Sequence, residues 1–162
     1  MNDLSLDAMD LQILAQLHRD ASLSNQDLAV AVHTSAPTCL RRIKRLREAG
    51  LIERQIAVLN PEKLAQAIGH GLTAIVEITM DRQSAEDLSA FEARVHTEAA
   101  VQQCYRVSPG PDFVLVVHVA HMPAYQSLAQ RMFASDANVR NVKAYFSIQR
   151  SKFGAELPLN SV

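Results

Sequence analysis

The sequence predicts an α+β protein of two domains, because the periodicity of its apolar residues changes near residue 60. Before that point apolar residues recur at spacings of three and four, which is typical of amphipathic helices. From Leu72 onward, short β-branched segments alternate with helical ones in the order βαββαβ. A chain of 162 residues is long enough to bury a core without disulfides or metal.

The first helix is predicted to begin after an N-cap at Asp7. Asp10 follows three residues later, where a negative charge meets the positive end of the helix dipole. One apolar stripe along this helix predicts the side that packs on the core, and it comprises Leu6, Met9, Ile13, Leu14 and Leu17.

Two more helices are predicted from their caps. Ser24, with Asp27 three residues on, indicates the start of a helix of about nine residues. Ser35 is the predicted N-cap of a third helix, in which Pro37 is tolerated in the first turn and which Gly50 terminates. The helical period predicts that its buried side consists of Cys39, Leu40, Ile43 and Leu46.

The third helix carries an unusual concentration of positive charge. The whole chain has a formal net charge of -1, so any affinity for nucleic acid must come from a local cluster. Residues 1–38 contain five aspartates and one arginine, whereas residues 40–54 contain six basic side chains. Major-groove recognition requires a basic free helix face on a helix-turn-helix unit. The alternative is a basic face that is merely solvated.

A helical wheel of the third helix divides the candidate DNA contacts into base contacts and phosphate contacts. Thr38, Arg41 and Arg45 are predicted to face base edges, with Arg41 as the principal base contact. Phosphate contacts are predicted from the backbone N–H groups at the helix start near Ser35 and from Arg42, Lys44, Arg47 and Arg54.

The segment from Leu51 to Asn60 changes to a period of two, with β-branched residues at Ile52, Ile56 and Val58. It predicts a wing strand that leaves the first domain and stops at Asn60–Pro61. Residues 61–71 are then interpreted as a linker with a short helix over Pro61–Ala67.

The second half predicts a ferredoxin-like sheet with two helices on it. The prolines of the break at residues 108–112 cannot donate ladder hydrogen bonds, so this segment is predicted to be a loop. The predicted elements are strands at Leu72–Met80, Val101–Val107, Phe113–Ala120 and Val139–Gln149, and helices at Ser84–Thr97 and Pro123–Phe133.

Several classes of protein are disfavoured. The acidic N-terminus does not resemble a signal peptide and no apolar run is long enough to span a bilayer, so a cytoplasmic protein with no membrane partner is expected. Cys39 and Cys104 are interpreted as reduced, packed thiols. His118 and His121 would point to opposite faces of one strand, so no metal site is predicted. No catalytic constellation or cofactor motif is visible, which gives a small enzyme little support.

These stretches together resemble the Lrp/AsnC (feast/famine) family of transcriptional regulators over almost the whole chain. The matching segments are residues 6–14, 23–29, 39–46, 50–52, 59–61 and 104–105. The resemblance implies a winged helix-turn-helix domain, a hinge strand, and a ferredoxin-like domain that senses amino acids and forms dimers. It also implies association of dimers into tetramers or octamers, and double-stranded DNA with palindromic sites as the partner.

Two departures from the family pattern stand out. The family usually has glycine in the helix-turn-helix turn, where this chain has His33, which can adopt a positive φ with some strain. In the loop before the third strand, Pro109-Gly110 replaces the usual Gly-Asp pair, and Pro109 has no N–H to offer a ligand. The resemblance implies an amino-acid effector bound by Ser108, Pro109, Gly110, Pro111, Asp112, Met122, Ala134, Tyr145 and Ser147. The alternative is that these residues build only a turn and a subunit interface.

The sequence therefore predicts a sequence-specific DNA-binding regulator whose activity or assembly responds to an amino acid or related small molecule. The alternative is an effector-independent architectural DNA-binding protein of the same fold. The predicted divisions are a DNA-binding domain at residues 1–60, a linker at 61–71, a sensing and oligomerisation domain at 72–154, and a C-terminal tail at 155–162.

Overall fold

The computed structural model describes residues 5–68 and 71–159, which group into two compact units. The first, here called the helical unit, holds the described residues up to Val58 together with those from Lys152 onward. The second, the sheet unit, spans Leu59–Ser151. Each unit has its own hydrophobic core.

Three helices form the helical unit: α1 (Ala8–Arg19), α2 (Asn25–Ala31) and α3 (Ala36–Glu48). The three predicted N-caps are confirmed, since Asp7, Ser24 and Ser35 each accept a hydrogen bond from the backbone N–H three residues on. Asp7 and Asp10 also form a reciprocal capping box, which satisfies two N–H groups that would otherwise lack partners.

The core of the helical unit is contributed by all three helices. Its fully buried apolar members are Ile13, Leu28, Ala29, Val32, Cys39 and Leu46. The prediction that Leu40 belongs to this side is wrong, because its side chain is 59% exposed. The tight α2–α3 turn places His33 at φ 53°, as predicted, and Gly50 at φ 75° follows α3, where its lack of a Cβ relieves strain.

The predicted wing strand at residues 51–60 is not formed, and the segment has no strand pairing. Ile52 packs against the helical core, but Ile56 and Val58 are 67% and 61% exposed. A period of two specifies a strand only where a neighbouring strand supplies hydrogen bonds, and none lies beside this segment among the described residues. Helix α4 (Pro61–Ile68) follows and confirms the predicted short helix.

The sheet unit has the predicted βαββαβ order. Its elements are β1 (Leu72–Met80), α5 (Ala85–Thr97), β2 (Val101–Arg106), β3 (Phe113–Val119), α6 (Met122–Ala129) and β4 (Val139–Phe146). The four strands form one antiparallel sheet in the order β2-β3-β1-β4, with β2 and β4 at its edges. The end of α6 widens into a π-helical turn at Gln130–Ala134, so this helix ends one residue beyond the predicted Phe133.

One face of the sheet packs against the helices. Alternate β1 residues, Ala74, Val76, Ile78 and Met80, are buried, as the strand period requires. Phe91 and Val95 of α5 and Leu128 of α6 complete this core. The opposite face carries side chains that remain accessible, among which Ile75, Tyr105 and Tyr145 are 44%, 54% and 52% exposed.

The C-terminal segment returns to the helical unit. The carbonyl oxygen of Ala155 lies 2.7 Å from Nε2 of His18, and the N–H of Leu157 donates to Nδ1 of the same ring at 3.4 Å. Since Nδ1 accepts a hydrogen bond, Nε2 carries the proton and donates to Ala155. Residues 152–154, which the sequence analysis placed in the sensing domain, group with the helical unit in this structure.

Candidate nucleic-acid interface and ligand-binding region

The outward side of α3 presents two cations to solvent. Arg41 is exposed and makes no ion pair with any residue that the structure describes. Lys44 is 76% exposed and lies 3.8 Å from the Glu48 carboxylate one helical turn on. Such a distant, solvated pair contributes little to stability, so Lys44 is available to a stronger anion.

The start of α3 holds two polar side chains close to its first turn. Ser35 Oγ accepts from the Thr38 N–H at 3.4 Å and donates to Thr38 Oγ1 at 2.9 Å. Thr38 is half-buried, and its hydroxyl proton is still able to donate elsewhere. Positive charge continues to the end of the helix and beyond it, because Arg47 in the last turn of α3 and Arg54 after the helix are both exposed. Arg47 Nη2 donates to Gln55 Oε1 at 3.4 Å.

Arg42 and Arg45 are placed differently from the other cations of α3. Arg42 Nη1 donates to Asp10 Oδ1 at 2.8 Å and to Asp7 Oδ2 at 2.7 Å. Arg45 Nη2 donates to the other oxygen of Asp10, Oδ2. Arg42 is only 22% exposed and therefore does not flank the outward side as the helical wheel predicted; the wheel contains no information about the acids of α1.

These contacts shift the proton affinities of the groups involved. The backbone N–H of Asp10, followed by the guanidinium of Arg42, holds the pKa of the Asp7 carboxyl below its ordinary value. Hydrogen bonds first to Asp10 and then to Asp7 raise the pKa of Arg42. Asp7 and Arg42 are therefore both charged near neutral pH.

A shallow cavity of about 300 Å³ lies on this surface between Asp7 and the three arginines 41, 42 and 45. Arg42 and Arg45 contact the buried Asp10 beside this cavity, whereas Arg41 makes no ion pair with any described residue. The sequence predicts the two aspartates at the start of α1 but not their contacts with the arginines of α3. The feature of the sequence that indicates such contacts is the acidic stretch at residues 1–38, which directly precedes the basic stretch at residues 40–54.

In the sheet unit, the loop between β2 and β3 is bound to the strand beside it. Asp112 Oδ2 accepts from the N–H of Met80 at 2.6 Å, and the N–H of Asp112 donates to the carbonyl of Ile78 at 2.8 Å. The Ser108–Pro109 peptide bond is cis, and Gly110 lies at φ 122°, a conformation that side chains with a Cβ rarely adopt. Asp112 thus has a structural role in holding this loop.

The residues implied for effector binding fall at opposite ends of the sheet. The loop lies beside Ile78 and Met80, whereas Tyr145 pairs with Ile75 and the N–H of Ser147 donates to Thr73. Five residues of strand separate the two ends, which is about 17 Å. Ala134 also lies at the end of the sheet that carries the loop, shortly before β4 begins. Met122 lies at the opposite end, where α6 begins after β3. One copy of the sheet unit does not bring these residues together.

A separate groove of about 500 Å³ lies between α6 and the edge strand β4. Of the implied effector residues only Ala134 lines it. Its other lining includes the apolar Phe133 and Val142 and the polar Gln126 and Arg140.

Three side chains differ from their sequence-based interpretation or add to it. Cys39 is buried as predicted, but Cys104 is exposed on edge strand β2 and is not packed. Burial of part of its surface, followed by the charge of Glu92, raises the pKa of Cys104. His121 is the N-cap of α6 and not a strand residue, and His118 Nδ1 lies 3.0 Å from Thr73 Oγ1.

Within residues 5–68 and 71–159 there is no group of three or more His, Cys, Asp or Glu side chains that could hold a metal ion. No helix in the same ranges is long and apolar enough to cross a bilayer.

Comparison with protein families also divides the chain into two parts, although the second match continues past Ser151, where the sheet unit ends. Residues 6–53 match a winged helix-turn-helix DNA-binding model, and residues 73–157 match the Lrp/AsnC ligand-binding domain. The leucine-responsive regulatory protein of Rhizobium meliloti is 33% identical over 156 residues, which are 96% of this chain and 97% of the relative. The DNA-binding transcriptional activator DecR of Escherichia coli is 34% identical over 154 residues, 95% and 99% of the two chains.

Solved structures show the same fold. An AsnC family transcriptional regulator from Agrobacterium tumefaciens aligns with a TM-score of 0.82 at 34% identity and covers 95% of this chain and 97% of its own. A transcriptional regulator from Neisseria meningitidis, solved in complex with L-Met, aligns with a TM-score of 0.83 at 28% identity over 96% and 98% of the chains. The predicted α+β fold class is confirmed, and the chain belongs to the Lrp/AsnC family of DNA-binding transcriptional regulators.

Proposed function

We propose that the exposed side of α3 reads double-stranded DNA, with Arg41 as the principal base contact. Arg41 is supported by its position at the centre of the outward face and by its lack of an internal ion pair among the described residues. A free guanidinium offers a bidentate fork that matches the O6 and N7 atoms of guanine. Thr38 and Arg45 lie beside it on the proposed base-facing side.

Phosphate contacts are proposed for Lys44, Arg47 and Arg54, together with the backbone at Ser35. Each of these three cations is exposed, and among the described residues the weak Lys44–Glu48 pair is the one ion pair that they make. Arg42 was part of the predicted set, but its two internal carboxylate partners argue against a direct phosphate contact. We therefore assign it to the support of α3.

Lys44→Ala tests the phosphate assignment. It is expected to lower affinity by a similar factor on all duplexes and to reduce the slope of log K against log salt by about one. Fluorescence anisotropy with a labelled duplex over a salt series measures both quantities. Lys63→Ala on α4 is the matched control, and an unchanged slope in Lys44→Ala would remove this residue from the interface.

We propose further that an amino acid is the effector and that it binds where sheet units of different subunits meet. The observation that carries this proposal is the match of residues 73–157 to a ligand-binding domain, supported by the relative solved with L-Met. The separation of the loop at residues 108–112 from Tyr145 and Ser147 favours a site between subunits, since two copies are able to supply opposite ends of the sheet.

A homo-oligomer is part of the same proposal. The accessible face of the sheet bears Ile75, Tyr105 and Tyr145, and an apolar face of this kind favours contact with a second copy. A symmetric dimer would present two copies of α3, for which palindromic half-sites are expected, and dimers are proposed to associate to tetramers or octamers. Ile75→Arg is expected to shift the mass measured by sedimentation velocity toward the monomer.

A thermal-shift panel of the twenty amino acids tests the effector. A ligand at about 100 times its dissociation constant stabilises the folded state by about 2.7 kcal/mol.

A panel without any shift favours the second candidate function, an architectural DNA-binding protein without an effector. Pro109 supports that candidate, because it has no N–H for a ligand. Pro109→Gly is then the informative variant. A thermal shift with an amino acid that appears in this variant and not in the wild type would show that Pro109 prevents effector binding.

The proposed activity requires no catalytic group, metal or cofactor, in agreement with relatives that are transcriptional regulators. Its place of action is proposed to be the cytoplasm, where bacterial DNA is accessible.

A further inference from the structure

Asp10 is a buried acid at the contact between α1 and α3. Its side chain is 0% exposed, and both of its oxygens accept hydrogen bonds. Oδ1 accepts from Arg42 at 2.8 Å, while Oδ2 accepts from Arg45 and from the N–H of Asp7 at 3.1 Å. A buried carboxylate with cationic partners is strongly constrained in position, because the loss of either partner leaves an uncompensated charge.

The cluster of Asp7, Asp10, Arg42 and Arg45 has no net charge, since two carboxylates face two guanidiniums. Residues 40–54 contain six basic side chains, and two of these six are compensated inside the fold. The cationic surface that DNA meets is therefore smaller than the sequence indicates. Fewer free cations release fewer counterions, which lowers affinity for DNA of any sequence.

Arg45 differs from Arg42 in its exposure. The Arg45 side chain is 45% exposed although it contacts a fully buried carboxylate, whereas Arg42 is 22% exposed. An arginine has five N–H donors in a rigid plane, so an acid that holds one end of the plane also sets the direction of the others. Arg45 is thus anchored at one edge and accessible at the other.

We propose that Asp10 is a positioning residue for DNA recognition, which orients the free N–H groups of Arg45 toward bases and, with Asp7, withholds Arg42 from phosphates. This inference rests on the proposed DNA interface of α3. Asp10 itself does not touch DNA. It raises the preference for the correct sequence by fixing one reading side chain, and it lowers the affinity for DNA of any sequence by compensating the charge of Arg42.

Asp10→Asn tests the proposal with minimal change of shape. An amide retains one acceptor but directs an NH2 group at the second guanidinium, so it cannot hold both arginines. Affinity for a non-specific duplex is expected to rise, with a salt slope steeper by about one to two. The ratio of specific to non-specific affinity is expected to fall roughly tenfold, which is the value of one good base contact.

The wild-type site is first selected from a randomised duplex pool, and binding is then measured by anisotropy on that site and on a scrambled duplex. Asp20→Asn is the matched control, because it removes the same charge from an exposed position whose side chain contacts Ser22. It is expected to leave the salt slope and the affinity ratio within error of the wild type. Far-UV circular dichroism establishes that each variant is folded.

Asp7→Asn provides a second variant that retains the helix cap, since asparagine is a favourable N-cap residue. Asp7 contacts Arg42 and not Arg45. This variant is expected to steepen the non-specific salt slope by about one while the affinity ratio stays unchanged. Should Asp10→Asn fail to fold, the Asp7→Asn slope decides whether the acids withhold positive charge from DNA.

The proposal is overturned if folded Asp10→Asn retains the wild-type affinity ratio, or if Asp7→Asn retains the wild-type slope. A double-mutant cycle adds a separate condition: in an Arg45→Ala background, Asp10→Asn should no longer change the affinity ratio. A wild-type chain that binds no duplex even at low salt would instead contradict the proposed DNA interface, so the two failures are distinguishable.

Discussion

The α3 surface and the loop at residues 108–112 differ in how much of each candidate site one chain contains. On α3, the polar groups that position the cations come from α1 of the same unit, through Asp7 and Asp10. In the sheet unit, the implied effector residues lie about 17 Å apart at two ends of the sheet. The proposed DNA interface therefore lies within one protomer, whereas the proposed effector site needs residues from a second subunit.

We expect that a substitution that disrupts the core of one unit leaves the stability of the other unit unchanged. Phe91→Ala is expected to destabilise the sheet unit by about 3–5 kcal/mol, because it removes a fully buried ring from a core that the helical unit does not share. Leu46→Ala should destabilise the helical unit by about 2–5 kcal/mol. Hydrogen exchange, resolved by peptide, measures the loss of protection in each unit.

Leu40→Ala is the control for the helical core, since Leu40 is exposed, and its effect should stay within about 0.5 kcal/mol. Equal loss of protection in both units after either core substitution would show that they unfold together, and the division into two units would then have no energetic meaning.

A smaller effect is expected at the loop. Asp112→Ala removes the charged acceptor of the Met80 N–H and should lower the free energy of unfolding of the sheet unit by about 1.5–3 kcal/mol. Urea unfolding checks this value. Ser108→Ala, an exposed position in the same loop, is the control. If Asp112→Ala abolishes a ligand-induced thermal shift without lowering stability, Asp112 is a ligand contact and the structural role assigned to it is wrong.

The smallest expected effect lies in the helix-turn-helix turn. His33 has φ 53°, which costs an L-residue about 1–2 kcal/mol, and part of this cost is recovered when glycine replaces it. His33→Gly is expected to stabilise the helical unit by roughly 0.5 kcal/mol, and His33→Asn by less. A decrease in thermal stability in both variants would indicate that the imidazole makes contacts that offset the strain.

The sequence predicts the scaffold well where the determinants are local. Caps at Asp7, Ser24 and Ser35 depend on the three residues that follow each of them, and the burial of alternate residues in β1 depends on strand period. The predicted strand at residues 51–60 fails because a strand also needs a partner, which a period of two does not provide.

Long-range pairing explains what the sequence misses at the site. The helical wheel of α3 places Arg42 and Arg45 by angle alone, but their partners lie 32 and 35 residues earlier in the chain, at Asp10. Likewise, the spacing of His118 and His121 assumes a continuous strand, whereas the chain has already left β3 and begun to cap α6. Charge asymmetry between neighbouring stretches was the available signal for the first pairing.

Arg41→Ala is the sharpest test of the proposal that the free face of α3 reads DNA through Arg41. Binding by this variant to the selected site and to duplexes with single base changes should be compared with that of Arg140→Ala, an exposed arginine of the sheet unit. We expect Arg41→Ala to lose about 1–3 kcal/mol of binding free energy on the selected site and to discriminate less between bases at one position. Unchanged affinity and discrimination in Arg41→Ala would contradict the proposal.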